Sequence, residues 1–287
     1  MKFEGDIFEV IVELDGRKEC RRIRSLLEKQ VMLGDAATTS TSKKRYYSRY
    51  FSDEVSAKDY RLLLKLIAPP KIKISIKGLG VDKWRDKWKK EFRPFKLNDK
   101  FIVVPKWKRD KIVKKHGIAI FIDTCLAFGT GLHETTKFVA EMITSLEGKF
   151  ESFLDIGTGT GILTIIADKC GANDLTAVDL TDDVLKVTRG NLDDNCVRKA
   201  KLIKGDMARI SFRKEYDLVA ANLTTEDLIG LKSRIISVVR KGGMLAVSGI
   251  SLKKSRYFIE RFRDPRLNKV KSLKGKEWAA FLFKRLA

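Results

Sequence analysis

The sequence predicts an α/β protein, a doubly wound sheet preceded by a small basic α+β domain, and three observations carry that prediction. The stretch Phe153-Leu-Asp-Ile-Gly-Thr-Gly-Thr-Gly-Ile-Leu-Thr-Ile-Ile-Ala167 reads as a buried strand, a glycine turn and the start of an apolar helix. Beyond it, short apolar runs alternate with helical patterns as far as about residue 263, the signature of strands joined by helical crossovers. The first 80 residues instead alternate at period two and at helical spacing in short pieces.

Taken in order, residues 6–14 alternate as a half-buried strand. Residues 17–33 place Cys20, Ile23, Leu26, Leu27 and Val31 on one helical face, with arginines largely opposite and Gly34 as a stop. The polar run Thr38 to Ser42 predicts a loop or turn, and the tyrosine-rich Lys43 to Phe51 a strand. A helix over Ser56 to Ile67 is stopped by Pro69-Pro70, and Lys71 to Ile76 alternates again as a strand. This order suggests a ferredoxin-like sandwich with one strand left unplaced. Trp84, Trp88 and Phe92 are spaced four apart, a helical row that either packs inward or stacks bases.

Residues 117–122 form an apolar strand. After the glycine turn come a strand at Leu175 to Val178 closed by Asp179, a helix over about Asp182 to Asn195, and a strand from Ala200 ending at Gly205-Asp206. The strand Asp217 to Ala221 delivers Asn222, a helix spans Glu226 to Val239, and Met244 to Ser248 is the next strand. A helix at 253–263 and an antiparallel hairpin at 269–286 complete the sheet. The expected division is a basic recognition domain at 1–80, an aromatic and basic connecting segment at 81–116, and the doubly wound (Rossmann-like) domain at 117–287.

Composition narrows the function classes. No apolar run approaches ~18 residues, so no membrane span is expected. The N-terminus lacks the basic-then-apolar layout of a signal peptide. Four scattered cysteines and two histidines give no disulfide framework or metal site, so a reducing, cytoplasmic setting is expected. The net charge of +22 is uneven: residues 1–120 carry +15, residues 121–250 carry −2, and residues 251–287 carry +9. Basic flanks around a neutral core suit docking onto something polyanionic, although a solvated lysine-rich surface gives the same count.

The glycines at 157, 159 and 161 let the chain turn tightly ahead of a helix whose free N–H groups face an electron-rich ligand. Their spacing is not the dinucleotide G-x-G-x-x-G, because residue 162 is Ile. Asp155 precedes the turn, and Asp179 ends the next strand at the distance where a carboxylate meets a ribose diol. Strand, G-x-G-x-G, helix, strand and Asp in this order resemble motifs I and II of S-adenosylmethionine-dependent methyltransferases. Upstream, Ala127-Phe-Gly-Thr-Gly-Leu-His-Glu-Thr-Thr136 matches A-F-G-T-G-x-H-x-T-T. With the W-x-x-x-W-K-x-x-F-x-P run, Val104-Pro-Lys-Trp107, Asn222-Leu, Lys241-Gly-Gly, Ser248-Gly-Ile and Gly275-Lys-Glu-Trp278, the chain resembles PrmA, the methyltransferases of large-subunit ribosomal protein eleven. The likeness covers about residues 80–287, and the first 80 only by element order. Thr124-Cys125 and Thr224 depart from the family pattern, which puts substrate identity rather than the cofactor site in question.

The resemblance implies a class I methyltransferase sheet and S-adenosyl-L-methionine as cofactor. It assigns Thr136, Gly157, Asp179 and Asn222 to cofactor binding and places His133 in a cofactor-covering loop; Gly159 of the glycine turn and Asp206, where such folds often contact the adenine, complete the candidate cofactor site. The acceptor the resemblance implies is a lysine or N-terminal amine of a ribosomal protein; the basic N- and C-terminal segments suggest RNA contact, and a monomer is expected. Such an amine must first be deprotonated, at a cost near neutral pH of roughly 4 kcal/mol for lysine and about 1 kcal/mol for an N-terminus. The Asn222 carbonyl can accept an amine N–H and aim the lone pair, which makes Asn222 the one catalytic candidate; a purely cofactor-holding role is the alternative. An RNA methyltransferase, or a non-catalytic RNA-binding protein with a vestigial pocket, are the competing readings.

Overall fold

The computed structural model describes residues 6–14, 36–40, 45–51, 54–68, 72–80, 92–111, 117–123 and 131–286. The chain divides into two compact units, Met1–Glu91 and Phe92–Ala287.

In the first unit, β1 (Asp6–Leu14), β2 (Ala36–Ser40), β3 (Arg45–Phe51) and β4 (Lys73–Gly80) form an antiparallel sheet in the order β2-β3-β1-β4. Helix α1 (Glu54–Ile67) places Ala57, Tyr60 and Leu64 in one apolar cluster with Val10, Val12 and Phe51. Spacing of three and four along the helix meets spacing of two along the strand, which is why both patterns were visible in sequence. The run expected to loop at Thr38 to Ser42 corrects to a strand through Ser40, with Thr38 and Thr39 opposite Tyr47 and Tyr46. β-branched threonines suit a pleated edge strand, whose polarity reads as loop only when its partner is unseen. The helix expected over 17–33, which a ferredoxin-like fold requires between β1 and β2, lies outside the described residues. So do Trp84 and Trp88.

The second unit holds a seven-stranded sheet. Its members are β8 (Ser152–Ile156), β9 (Asp174–Asp179), β10 (Lys201–Lys204), β11 (Tyr216–Asn222), β12 (Val239–Ser251), β13 (Leu267–Lys274) and β14 (Trp278–Arg285), in the order β10-β9-β8-β11-β12-β14-β13. Strands β8 to β12 pair in parallel, and β14 runs antiparallel between β12 and β13. Helices α2 (Glu134–Ser145) and α3 (Ile162–Lys169) contribute Val139, Ile143, Ile165 and Ile166 to the apolar layer on one face. On the other face, α5 (Thr225–Gly230), α6 (Lys232–Ser237) and α7 (Ser255–Phe262) surround Phe258, Phe262, Phe281 and Phe283, whose rings pack in a ladder. Between β9 and β10 runs α4 (Asp182–Asp194).

Two expectations are corrected here. The single helix over 226–239 is two short helices that share Leu231 as a boundary. The strand expected from Met244 begins at Val239, and its register with β11 shifts between the Tyr216–Val239 and Leu218–Met244 pairs, so Lys241-Gly-Gly is a bulge within a strand. A feature not anticipated is the three-stranded sheet of β5 (Phe95–Lys96), β6 (Phe101–Pro105) and β7 (Ile118–Ile122). Its Phe101, Val103, Ile120 and Ile122 are fully buried in the same core as α2 and α3. Phe92 is also buried, edge-on to Phe95 and Trp107, so at least this member of the aromatic row packs inward. Among the described residues no helix is long and apolar enough to cross a membrane.

Candidate active site

The carboxyl ends of β8, β9, β10 and β11 lie side by side, with Ile156 opposite Val178 and Ala221, Asp179 opposite Lys204, and Asn222 opposite Ser248. The sheet order reverses direction at β8, whose next strand in sequence lies on one side and β11 on the other. A crevice at such a reversal is where open α/β sheets bind ligands.

The glycine turn fills that crevice's floor. Gly157 has φ 72°, and both it and Thr158 donate backbone N–H bonds to the Val178 carbonyl at 2.9 and 3.0 Å. A Cβ at residue 157 would stand 2.6 Å from Leu223 Cδ2 and would have to push the tip of that side chain aside, and the positive φ itself favours glycine. Gly159 donates its N–H to Asp179 Oδ2 at 3.0 Å, and Leu180 donates to Oδ1 at 2.8 Å. Each Asp179 oxygen thus keeps one lone pair for a ligand hydroxyl. Behind the turn, Thr188 donates to the Gly159 carbonyl at 2.7 Å and Asn191 to the Thr160 carbonyl at 2.8 Å. These bonds brace the turn from α4.

Asp155 is completely buried under the turn. Thr158 and Thr164 hydroxyls both donate to its Oδ2 at 2.8 Å, while Oδ1 has no hydrogen-bond partner among the described residues. Loss of hydration pushes its pKa up to about 6 despite those two donors. An orphaned acceptor on a buried carboxylate is uncommon and marks a place for a ligand donor or cation.

Thr136, on the first turn of α2 and 1% exposed, accepts a hydrogen bond from Asn222 Nδ2 at 3.4 Å. The two residues are 86 positions apart, and the fold brings them together. His133 caps the same helix: its Nδ1 lies 2.8 Å from the Thr135 hydroxyl, and its ring meets Trp278 edge-on at 5.0 Å. Asp206 follows β10 at the same rim, and its carboxylate accepts the Ala208 N–H at 2.9 Å. Gly157, Gly159, Asp179, Thr136 and Asn222 therefore converge, with Asp206 further along the rim. Residues 124–130, which include all of the A-F-G-T-G run but Gly131, lie outside the described residues. Sequence reasoning passed over Leu180, which is 65% exposed beside Asp179. An apolar residue directly after a strand-end acid was the available signal.

A match to the family described as Ribosomal protein L11 methyltransferase (PrmA) spans residues 9–286. The chain belongs to that family. A Ribosomal protein L11 methyltransferase of Acetivibrio thermocellus is 34% identical over 204 residues, 71% of this chain and 64% of the relative. One of Dictyoglomus turgidum is 30% identical over 236 residues, 82% and 78% of the two chains. The chain thus spans just under two thirds of the length of the first of these relatives. The crystal structure of a ribosomal protein L11 methylase from Lactobacillus delbrueckii subsp. bulgaricus superimposes with a TM-score of 0.61 at 25% identity, covering 68% of this chain and all of the other.

The donor set fits the cofactor of this family, S-adenosylmethionine. Asp179 offers two open acceptor positions for a diol, the glycine turn offers close backbone approach, and the unpartnered Asp155 Oδ1 offers an anionic acceptor at the buried end.

Proposed function

We propose that this protein transfers methyl groups from S-adenosylmethionine to amines of a ribosomal protein, the L11 protein named by its relatives being the substrate. Bound at this rim, the cofactor supplies a methyl group on a cationic sulfonium, an electrophile that needs an aligned amine rather than acid catalysis. The observation that carries the reading is the Asn222–Thr136 pair at the end of β11. The Asn222 amide group donates to Thr136, which leaves the side-chain carbonyl as the acceptor for a substrate amine N–H. A hydrogen bond in that direction holds the nitrogen lone pair opposite the bond and aims it for in-line attack.

In this reading Asp179 accepts the ribose hydroxyls, Gly157 and Gly159 admit the methionine end, Asp206 and Leu180 flank the adenine, and Thr136 fixes Asn222. A partly dry rim favours the neutral amine over the ammonium, which lowers the cost of deprotonating lysine. Residues 1–80 select the acceptor, and the segment 81–116, whose part from Phe92 on belongs to the second compact unit, leads from them into the catalytic domain at 117–287. The outward face of α1 presents Val55, Leu62 and Leu66, each more than 60% exposed, and apolar surface of that kind suits a protein partner better than a nucleic acid. The basic flanks add contact with ribosomal RNA around that protein. The enzyme acts as a monomer in the cytoplasm, where ribosomal proteins are available.

The test is incubation of the full chain with radiolabelled S-adenosylmethionine and ribosomal acceptor, followed by separate protease and nuclease digestion. Label released by protease and retained through nuclease is expected. Label released by nuclease would replace this reading with RNA methylation.

A further inference from the structure

The N-terminus of α2 makes a contact that neither the glycine turn nor the Asn222–Thr136 pair requires. Glu134 accepts backbone N–H bonds from Lys276 at 3.2 Å to each carboxylate oxygen, and from Glu277 to Oε2 at 3.5 Å. These residues lie 142 and 143 positions away, in the turn joining β13 to β14. That turn is closed by a Gly275 N–H to Trp278 carbonyl bond of 2.9 Å and tied to the end of β12 by Leu252 N–H to the Glu277 carbonyl at 2.8 Å. A Cβ on Gly275 would stand 2.5 Å from Glu134 Oε2, so the absence of a side chain there is what lets the carboxylate reach the amides. The first residue of the strand that leaves the turn is Trp278, opposite Ser251 in β12 and edge-on to His133.

We propose that Glu134 is a positioning residue for the methyl acceptor: it pins the turn 275–278 to the helix that carries Thr136, so that Trp278 and His133 form one fixed wall beside Asn222. This rests on the reading of Asn222 as the residue that meets the acceptor amine. Glu134 touches neither donor nor acceptor in this scheme. It acts through the turn, whose backbone amides would otherwise face water and let Trp278 drift from His133. A carboxylate at the first turn of a helix also faces the helix's free N–H end, a favourable place for an acceptor. An aromatic face at that wall suits the alkyl stem or cationic head of a lysine-like acceptor, so the clamp governs acceptor use and leaves the cofactor pocket alone.

Three variants of the full chain test this. Glu134→Ala removes the clamp, Glu134→Gln keeps a neutral acceptor oxygen, and Gly275→Ala drives the carboxylate off the amides while leaving α2 unaltered. The readouts are hydrogen exchange at the Lys276 and Glu277 amides, S-adenosylmethionine affinity by calorimetry, and kcat and KM for the ribosomal acceptor. Glu134→Ala and Gly275→Ala are expected to speed exchange at both amides about tenfold and to lower kcat/KM for the acceptor about tenfold, with cofactor affinity within about twofold of the parent. Glu134→Gln should recover part of both losses. Unchanged exchange, or exchange that rises while kcat/KM stays at the parent value, overturns the proposal. A fall in cofactor affinity in step with kcat/KM also overturns it, because the clamp would then serve the cofactor helix. Failure of the parent chain to methylate any ribosomal acceptor would sink the functional reading instead, and the exchange measurement would still report on the clamp.

Discussion

Asp155 shows how one side chain can be costly to the fold and useful to the site. Its folded pKa of about 6 lies above the ordinary 3.8, so the native state holds the proton more tightly than the unfolded chain. Its stabilising contribution is therefore complete below the ordinary value and lost as pH rises through about 6. Near neutral pH the ionised group costs about 3 kcal/mol. Asp155→Asn is expected to raise the melting temperature at about pH 8, to lose that advantage toward about pH 4, and to weaken S-adenosylmethionine binding, followed by thermal unfolding across pH and by calorimetry. A lower melting temperature at about pH 8 would show that the two threonine donors already offset the burial. Asn222→Ala separates two roles at the opposite wall. If the carbonyl aims the amine, kcat should fall by more than about tenfold while cofactor affinity changes severalfold at most. Proportional losses would leave Asn222 as a cofactor-holding residue alone. Both acids and all three glycines of the turn were legible in the sequence because strand, turn and helix are contiguous there. The bond from Asn222 to Thr136 and the clamp from Glu134 were not, since each joins residues 86 or more positions apart and depends on sheet order.

At the scale of elements, two helices begin at threonine caps that the sequence reading did not single out. Thr181 caps α4 by accepting from Val184, and Thr224, a departure from the family pattern, caps α5 by accepting from Asp227. The latter gives Thr224 a local structural role that needs no change of substrate to explain it. The far end of α4 is less expected. Cys196 has φ 62°, with its N–H bonded to the Asp193 carbonyl and the Val197 N–H reaching the Leu192 carbonyl, the arrangement of a helix closed by a left-handed residue. Glycine is the usual occupant, and a side chain at that angle is strained. Cys196→Gly should stabilise the protein by about 0.5–1 kcal/mol without altering turnover, as judged by denaturant midpoint. Elements that the sequence hid are those defined by a partner. Strand β2 is polar and gains its identity only beside β3, and β5 is two residues long, recognisable as a strand only through its pairing with β6. The bulge at Lys241-Gly-Gly shows the converse, a glycine pair that reads as a boundary yet lies inside a strand.

On the scale of the whole molecule, charge and architecture divide the work. Residues 121–250, which carry the proposed cofactor rim, have a net charge of −2, so a polyanion has little electrostatic reason to dock there. The flanking segments carry +15 and +9. A partner held by several phosphate contacts releases counterions, and its affinity falls steeply with salt, while a cofactor held by hydrogen bonds and close backbone approach scarcely responds. Raising salt from about 50 to 200 mM is therefore expected to weaken binding of the intact ribosomal acceptor by about tenfold or more and to leave S-adenosylmethionine affinity within about twofold, by titration of the full chain with each. The same titration with the isolated ribosomal protein, stripped of RNA, should show a much shallower slope, because the phosphates that the basic flanks would neutralise are gone. A fragment beginning at Phe92, where the second compact unit starts, should still bind the cofactor and should no longer methylate either acceptor. Equal salt slopes for the two acceptors would place the basic flanks on the ribosomal protein itself. Full activity of the Phe92 fragment would move acceptor selection into the rim between Asn222 and Trp278.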